Sequence, residues 1–193
     1  GCFVADDRLW SRIPELWRAL IDSPAAHFVV WEDLAAPTHE RLQSFAISVI
    51  VGDDFAQEVR ARGRAWSGAL LYQRMGSRAS PLLGEREIGR ANAGDGVNIV
   101  VLHNPLRYRA VADPRLQAVM PLGMAAFHFC HGGYYARCVL WEVYGPDHTQ
   151  LLADGGYRLL DNFESDPAVR RIPEDQRPFL MGLLRDDAEL GAY

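Results

Sequence analysis

The segment FHFCHGG, residues 127–133, places two histidines and a cysteine within four positions, and Cys138 follows shortly after. Imidazole and thiolate are zinc ligands, but zinc motifs of real specificity pair two short-spaced ligand couples, and no second couple occurs in this sequence. On a helix His128 and His131 are three apart and share a face, while Cys130 points elsewhere. The HGG reads as a helix ending, with glycine as the left-handed cap and His131 favourable there as a cation facing the dipole. No metal is expected. Cys130 is not expected to be a nucleophile either, since nothing around it marks an exposed or activated thiol.

Acid–base chemistry has better candidates. Glu142 lies inside CVLWEVYG, on the same strand face as Leu140 and Tyr144. A carboxylate in an apolar strand acquires a raised pKa and can serve as a base; the other reading is a strand-end group in water or paired with arginine. Tyr144 carries a phenolic proton, although an aromatic at a strand end is more often a packing residue. His103 ends an apolar run and is either a functional imidazole or a hydrogen-bonded structural one. Arg107 and Arg109 can hold a phosphate bidentately or sit in a solvated loop. Asp147 is explained by a helix dipole, and His148 by surface exposure.

These side chains need elements to hold them. Leu9, Trp10, Ile13, Leu16, Trp17, Leu20 and Ile21 fall at helical spacing, with a stop at Ser23-Pro24. HFVVWEDL and RLQSFAISVIVG read as two strands of a hairpin, with Phe45, Ile47, Val49 and Val51 on one face. From about 53 to 96 three short helices are expected: DDFAQEVRARG, AWSGALLYQRMG and GEREIGRANAG. VNIVVLH is a strand buried on both faces. The run DPRLQAVMPLGMAAFHFCHGG is helical, interrupted at Pro121. YARCVLWEVYG is a strand, PDHTQLLADGG a short helix with proline at its first turn, and YRLLDNF and RPFLMGLL two closing strands. The expected architecture is a single α/β domain over 1–193: a mixed sheet with antiparallel hairpins flanking a central parallel pair, and a helical insertion at about 53–96.

Composition narrows the function classes. The 193 residues carry 23% charged side chains and a net charge of −5, so no electrostatic nucleic-acid partner is expected. All basic residues are arginine, the mark of a GC-rich, bacterial-type genome, and the absence of lysine excludes Schiff-base and lysine phosphate-loop chemistry. Three cysteines without framework spacing fit a reducing, cytoplasmic location. No apolar run reaches membrane-spanning length, and no signal peptide or membrane association is expected.

In element order, from about Trp10 to Arg185, the chain resembles the Gcn5-related N-acetyltransferase (GNAT) superfamily. VNIVVLH is similar to its central strand, the 113–133 run to the helix behind it, and ARCVLWEVYG to the next parallel strand. PDHTQLLADGGYRLLDNF is similar to the closing motif, with Gly156-Tyr157 matching its Gly–aromatic pair. The resemblance implies an acyl-coenzyme A enzyme, using acetyl-CoA or another acyl-CoA, that acylates a small-molecule amine, possible also as a homodimer. It places cofactor contacts at Leu102, His103 and Asn104, with Arg107 and Arg109 on the pyrophosphate. It places the proton transfers on Glu142, Tyr144 and His103. Two positions depart from the family pattern. The loop NPLRYRAVADP has no glycine where phosphate-binding main chain is expected. Leu152 stands where a general-acid tyrosine is expected, leaving Tyr144 as the substitute. These departures favour the alternative of a non-catalytic GNAT-like sensory or interaction domain. A fainter resemblance to the N-terminal domain of bacterial LuxR-type helix-turn-helix regulators points the same way.

Overall fold

The structure is a computed structural model that describes residues 11–61, 67–77, 80–103, 123 and 125–185, without the side chains of Ser44, His103 and Asp147. Helix α1 (Ile13–Ile21) opens with Pro14 in its first turn and buries Leu16 and Leu20. Strands β1 (Ala26–Glu32) and β2 (Leu42–Val51) follow, then helices α2 (Asp53–Ala61), α3 (Ser67–Met75) and α4 (Glu85–Ala93). The second half comprises β3 (Val97–His103), a helical segment at 125–131, β4 (Ala136–Tyr144), α5 (Pro146–Asp154), β5 (Arg158–Asp161) and β6 (Pro178–Leu184).

The described strands form one six-stranded sheet in the order β1-β2-β3-β4-β6-β5. Every neighbouring pair is antiparallel except β3 and β4, which are parallel. A parallel pair requires a crossover, and the 125–131 helical segment lies on it. This is the mixed sheet expected from the sequence: a central parallel pair with antiparallel strands on both sides.

Side-chain alternation along the strands builds a core on each face. On one side Ile47, Val49 and Val51 of β2, Val100 and Leu102 of β3, and Leu140 of β4 pack against α1, α2 and α3. On the other, Ile99 and Val101 of β3 and Val139, Trp141 and Val143 of β4 meet Phe127, Ile88 and Leu152. The central strand is therefore apolar at almost every position because both its faces are covered. Each such side chain stabilises the fold by about 1.5–3 kcal/mol on burial.

The first-turn end of the parallel pair is tied by polar side chains. Asn98 Nδ2 donates to Asp53 Oδ1 at 2.6 Å, and Arg137 Nη1 donates to Asp53 Oδ2 at 3.1 Å. The Cys138 thiol donates to Asn98 Oδ1 at 3.2 Å, and these two residues are register partners in the β3–β4 ladder. The start of α2 is thus pinned to the start of both central strands.

The histidine cluster of FHFCHGG is architectural. The helix ends at His131 and the two glycines form the turn into β4, as its sequence indicates. His128 is exposed, whereas His131 turns inward with 7% exposure. Its Nδ1 lies 2.8 Å from the Phe127 carbonyl, which can only accept, so Nδ1 carries the proton. Nε2 then accepts the Ser48 hydroxyl at 3.1 Å, fastening the helix end to β2. The expectation of a cation facing the helix dipole does not hold: burial drives the His131 pKa down to about 4, outweighing the opposing carbonyl hydrogen bond. His27, whose ring centroid is 4.8 Å away, is shifted down by burial as well.

Because the unfolded chain binds a proton at His131 near pH 6.5 and the folded chain only near pH 4, stability is full above that window and falls as pH drops through it. In urea unfolding, wild type is expected to lose on the order of 2 kcal/mol more than His131→Gln between pH 7 and pH 4.5.

Candidate active site

The geometry of the site begins with a register fault. Ile47 pairs with His103 and Ser48 with Val101, so Leu102 is an extra residue on β3, a β-bulge. On the opposite edge the β3–β4 ladder ends at Val101 and Trp141. β3 runs on to His103 and β4 to Tyr144, but no longer as partners. β4 stays paired to β6 as far as Tyr144 and Pro178, so it is β3 that turns away. The two parallel strands part between Leu102 and Glu142.

Glu142 sits at the parting with 5% exposure, so it is not a solvated strand-end group. Its Oε2 accepts the Ser67 backbone N–H at 2.7 Å, and its Oε1 accepts the Tyr144 hydroxyl at 2.7 Å. Ser67 is the first residue of α3, and N–H groups of a first turn have no intrahelical partner. Accepting on both oxygens is the role of an ionised carboxylate, and hydrogen bonds to it are the strong kind. Tyr144 is tuned by the same contact. Burial raises its pKa most, and the Glu142 charge and hydrogen bond raise it further, so the phenol retains its proton.

The remaining sequence candidates divide. The Leu102 side chain is 3% exposed and belongs to the core cluster of Val100 and Leu140, so only its main chain is left to meet a ligand. His103 ends β3 just past the bulge; its side chain, and all of Asn104, Arg107 and Arg109, lie outside the described residues. His148 is half-buried rather than a simple surface group, and its Nδ1 donates to the Tyr144 carbonyl at 2.7 Å, docking α5 on the end of β4. Leu152 is a core residue at 1% exposure. In the closing motif Gly156 adopts φ +87, a left-handed conformation that favours glycine, while Tyr157 packs edge-on to Trp141. Among the described residues, no group of three or more His, Cys, Asp or Glu is placed to hold a metal ion, and no helix is long and apolar enough to cross a membrane.

Ser67 is the residue that sequence reasoning missed. In AWSGALLYQRMG it reads only as a small residue of a short helix, and its partner lies 75 positions away.

No family model matches the sequence, and no curated protein does. Solved structures are similar in shape. One is FeeM, an N-acyl amino acid synthase from uncultured soil microbes, with 11% identity, TM-score 0.42, 88% of this chain and 78% of that chain covered. Another is Arabidopsis thaliana NAA60 in complex with acetyl-CoA, with 12% identity, TM-score 0.46 and coverage of 88% and 81%. A third is the C-terminal condensation domain of Ebony in complex with beta-alanyl-dopamine, with 12% identity, TM-score 0.49 and coverage of 90% and 78%. At such identities and scores these likenesses add no weight of their own. Strand order, the parallel pair and its bulged parting make the fold GNAT-like.

Removing the Tyr144 hydroxyl takes one hydrogen bond from a buried carboxylate. Tyr144→Phe is expected to lower unfolding free energy at pH 7 by about 1.5–3 kcal/mol in denaturant titrations.

Proposed function

We propose that this chain is a divergent acyl-CoA-dependent N-acyltransferase that moves an acyl group from a coenzyme A thioester to a small-molecule amine. The observation that carries the reading is the parting of β3 from β4 with the Glu142–Tyr144 pair seated in it. The donor set suits an amide-bearing coenzyme arm: beyond Val101 the main chain of Leu102 and His103 is no longer engaged by the β4 ladder. Asn104, Arg107 and Arg109 continue from that strand end and are proposed to meet the rest of the coenzyme, the arginines supplying charge to its pyrophosphate in place of glycine main chain.

When bound, acyl-CoA supplies an activated acyl carbon and a sulfur leaving group. The chain's own residues manage the protons. A Glu142 carboxylate oxygen takes the proton released by the attacking amine. That neutralises the charge which, with its hydrogen bond, helps hold the Tyr144 pKa high, so the phenol becomes able to donate toward the departing sulfur. The proton on Glu142 then passes back to Tyr144 Oη across their 2.7 Å hydrogen bond, restoring both groups. His103, at the end of β3, is the second candidate base for the amine proton. Water is kept away by the burial of Glu142 and by the two core layers flanking the parting.

The glycine-free loop favours a second reading, a GNAT-like domain that senses or docks rather than catalyses. Calorimetry separates the two. Acetyl-CoA is expected to bind wild type and Glu142→Gln alike, with acetyl transfer to amines about 10²- to 10⁴-fold slower in the variant. No heat at millimolar acetyl-CoA sinks the enzyme reading and leaves the second one standing.

A further inference from the structure

The sheet has two edges, and they differ. β5 is four residues long, whereas β1 runs for seven, AHFVVWE, and has no strand beyond it among the described residues. Folds that keep an edge from pairing use lysine, proline, a bulge or an inward charge along it. β1 carries none of these in its middle: its charge is Glu32, and its irregularity falls between Trp31 and Glu32, both at its end. The inner ladder sets where its free groups point. The Ile50 N–H donates to the Ala25 carbonyl at 2.8 Å, and Ala26 is paired with Val49. Bonded and unbonded positions alternate in an antiparallel ladder, so His27, Val29 and Trp31 bond to β2, while Phe28, Val30 and Glu32 turn N–H and C=O outward.

The same edge is apolar. Five of the eight large hydrophobic side chains exposed among the described residues are Ile21, Phe28, Val30, Leu34 and Leu42. They sit at the end of α1, on β1 and around its connection to β2. Phe28 and Val30 share the face covered by α1, since the Phe28 ring centroid lies 6.4 Å from that of Trp17 and Val30 pairs with Phe45.

We infer that β1 pairs antiparallel with β1 of a second copy of this chain, Val29 against Val29, joining the two sheets into one. The strand's own pattern selects this register. Outward-turned residues must meet outward-turned residues, which allows centres at Phe28, Val29 or Val30. Of these, only the centre at Val29 uses the whole of Ala26–Glu32. It sets Phe28 of each copy against Val30 of the other, an aromatic facing a β-branched residue, which is a favourable cross-strand pair. It also sends the two Glu32 carboxylates to opposite ends of the joint. A two-fold axis normal to the sheet keeps each face on its own side, so the exposed apolar groups of the two copies meet. Those five side chains expose roughly 500 Å² per copy, and main chain and rim bring this to the about 800 Å² per partner of a standard interface.

The test is the mass of the full chain in solution, by light scattering over a dilution series. Wild type is expected at the mass of two chains. Val30 is 56% exposed, so Val30→Lys leaves the fold intact, with an unchanged circular dichroism spectrum. It sets a charge against Phe28 at two places in each dimer and should weaken association by about 10- to 30-fold. Cross-linking reads the register without relying on that variant. Val29→Cys places two thiols across the axis at an unbonded pair, about 4.5 Å apart at Cα, and should form a disulfide between copies under mild oxidation. Val30→Cys lies off the axis, beyond the roughly 7 Å reach of a disulfide, and should form no more dimer than oxidised wild type.

Wild type at the mass of one chain overturns the inference and leaves the edge to another occupant, a segment of this chain or a strand of another protein. A dimer that a folded Val30→Lys does not weaken overturns it in favour of another surface. A missing Val29→Cys bridge, or one formed by Val30→Cys instead, overturns the register. Each of these outcomes leaves the acyl-transfer reading where it stands.

Discussion

One residue too many on the central strand governs the molecule. With Leu102 bulged out of register against Ile47 and Ser48, β3 cannot follow both of its neighbours. It keeps β2 and leaves β4, because the antiparallel ladder resumes at His103 while the parallel one has already ended at Val101. A sheet normally spends every main-chain group on its own ladder. Here the bulge releases main chain deep between two apolar layers. That is also where a buried carboxylate can be afforded hydrogen bonds from two sides.

The two ends of the parallel pair are built in opposite ways. At the start, Asp53, Asn98, Arg137 and Cys138 lace the strands together and fix their register. At the finish, no ladder joins them, and a helix start and a tyrosine hydroxyl each donate a hydrogen bond to Glu142 instead. The laced end sets the spacing, so the open end can diverge without the sheet slipping. Register slips move every side chain to the wrong face, and a central strand covered on both sides has no tolerance for one.

Much of this was legible in the sequence because it is local. Helical spacing gave α1, alternation gave the β1–β2 hairpin, and the unbroken apolar run VNIVVLH implied a strand covered on both faces. Glu142 and Tyr144 could be placed on one strand face by counting in twos. What local pattern does not encode is pairing at a distance. The bulge at Leu102 depends on which residues of β2 face it, and no glycine or proline marks it. The Ser67 contact to Glu142 joins segments 75 positions apart. His131 illustrates the same limit in another form: a histidine at a helix end has one meaning in water and the opposite one when that end is pressed against β2, and only packing decides between them.

The lacing at Asp53 has a consequence for how this chain can vary. Asp53 begins the run of three helices and Asn98 stands just after it, so the whole excursion leaves and rejoins the sheet at a single point. A detour with its base closed transmits little tension to the strands it departs from. Its loops can lengthen or shorten while the ladder holds its register, and the cost of added length grows only slowly. Among the described residues, the Ser67 amide carries the detour to the carboxylate at the far end of the same strands. Variation is thereby directed to the loops of the excursion, because its helices are bound to both faces of the sheet through Phe55, Leu71 and Ile88.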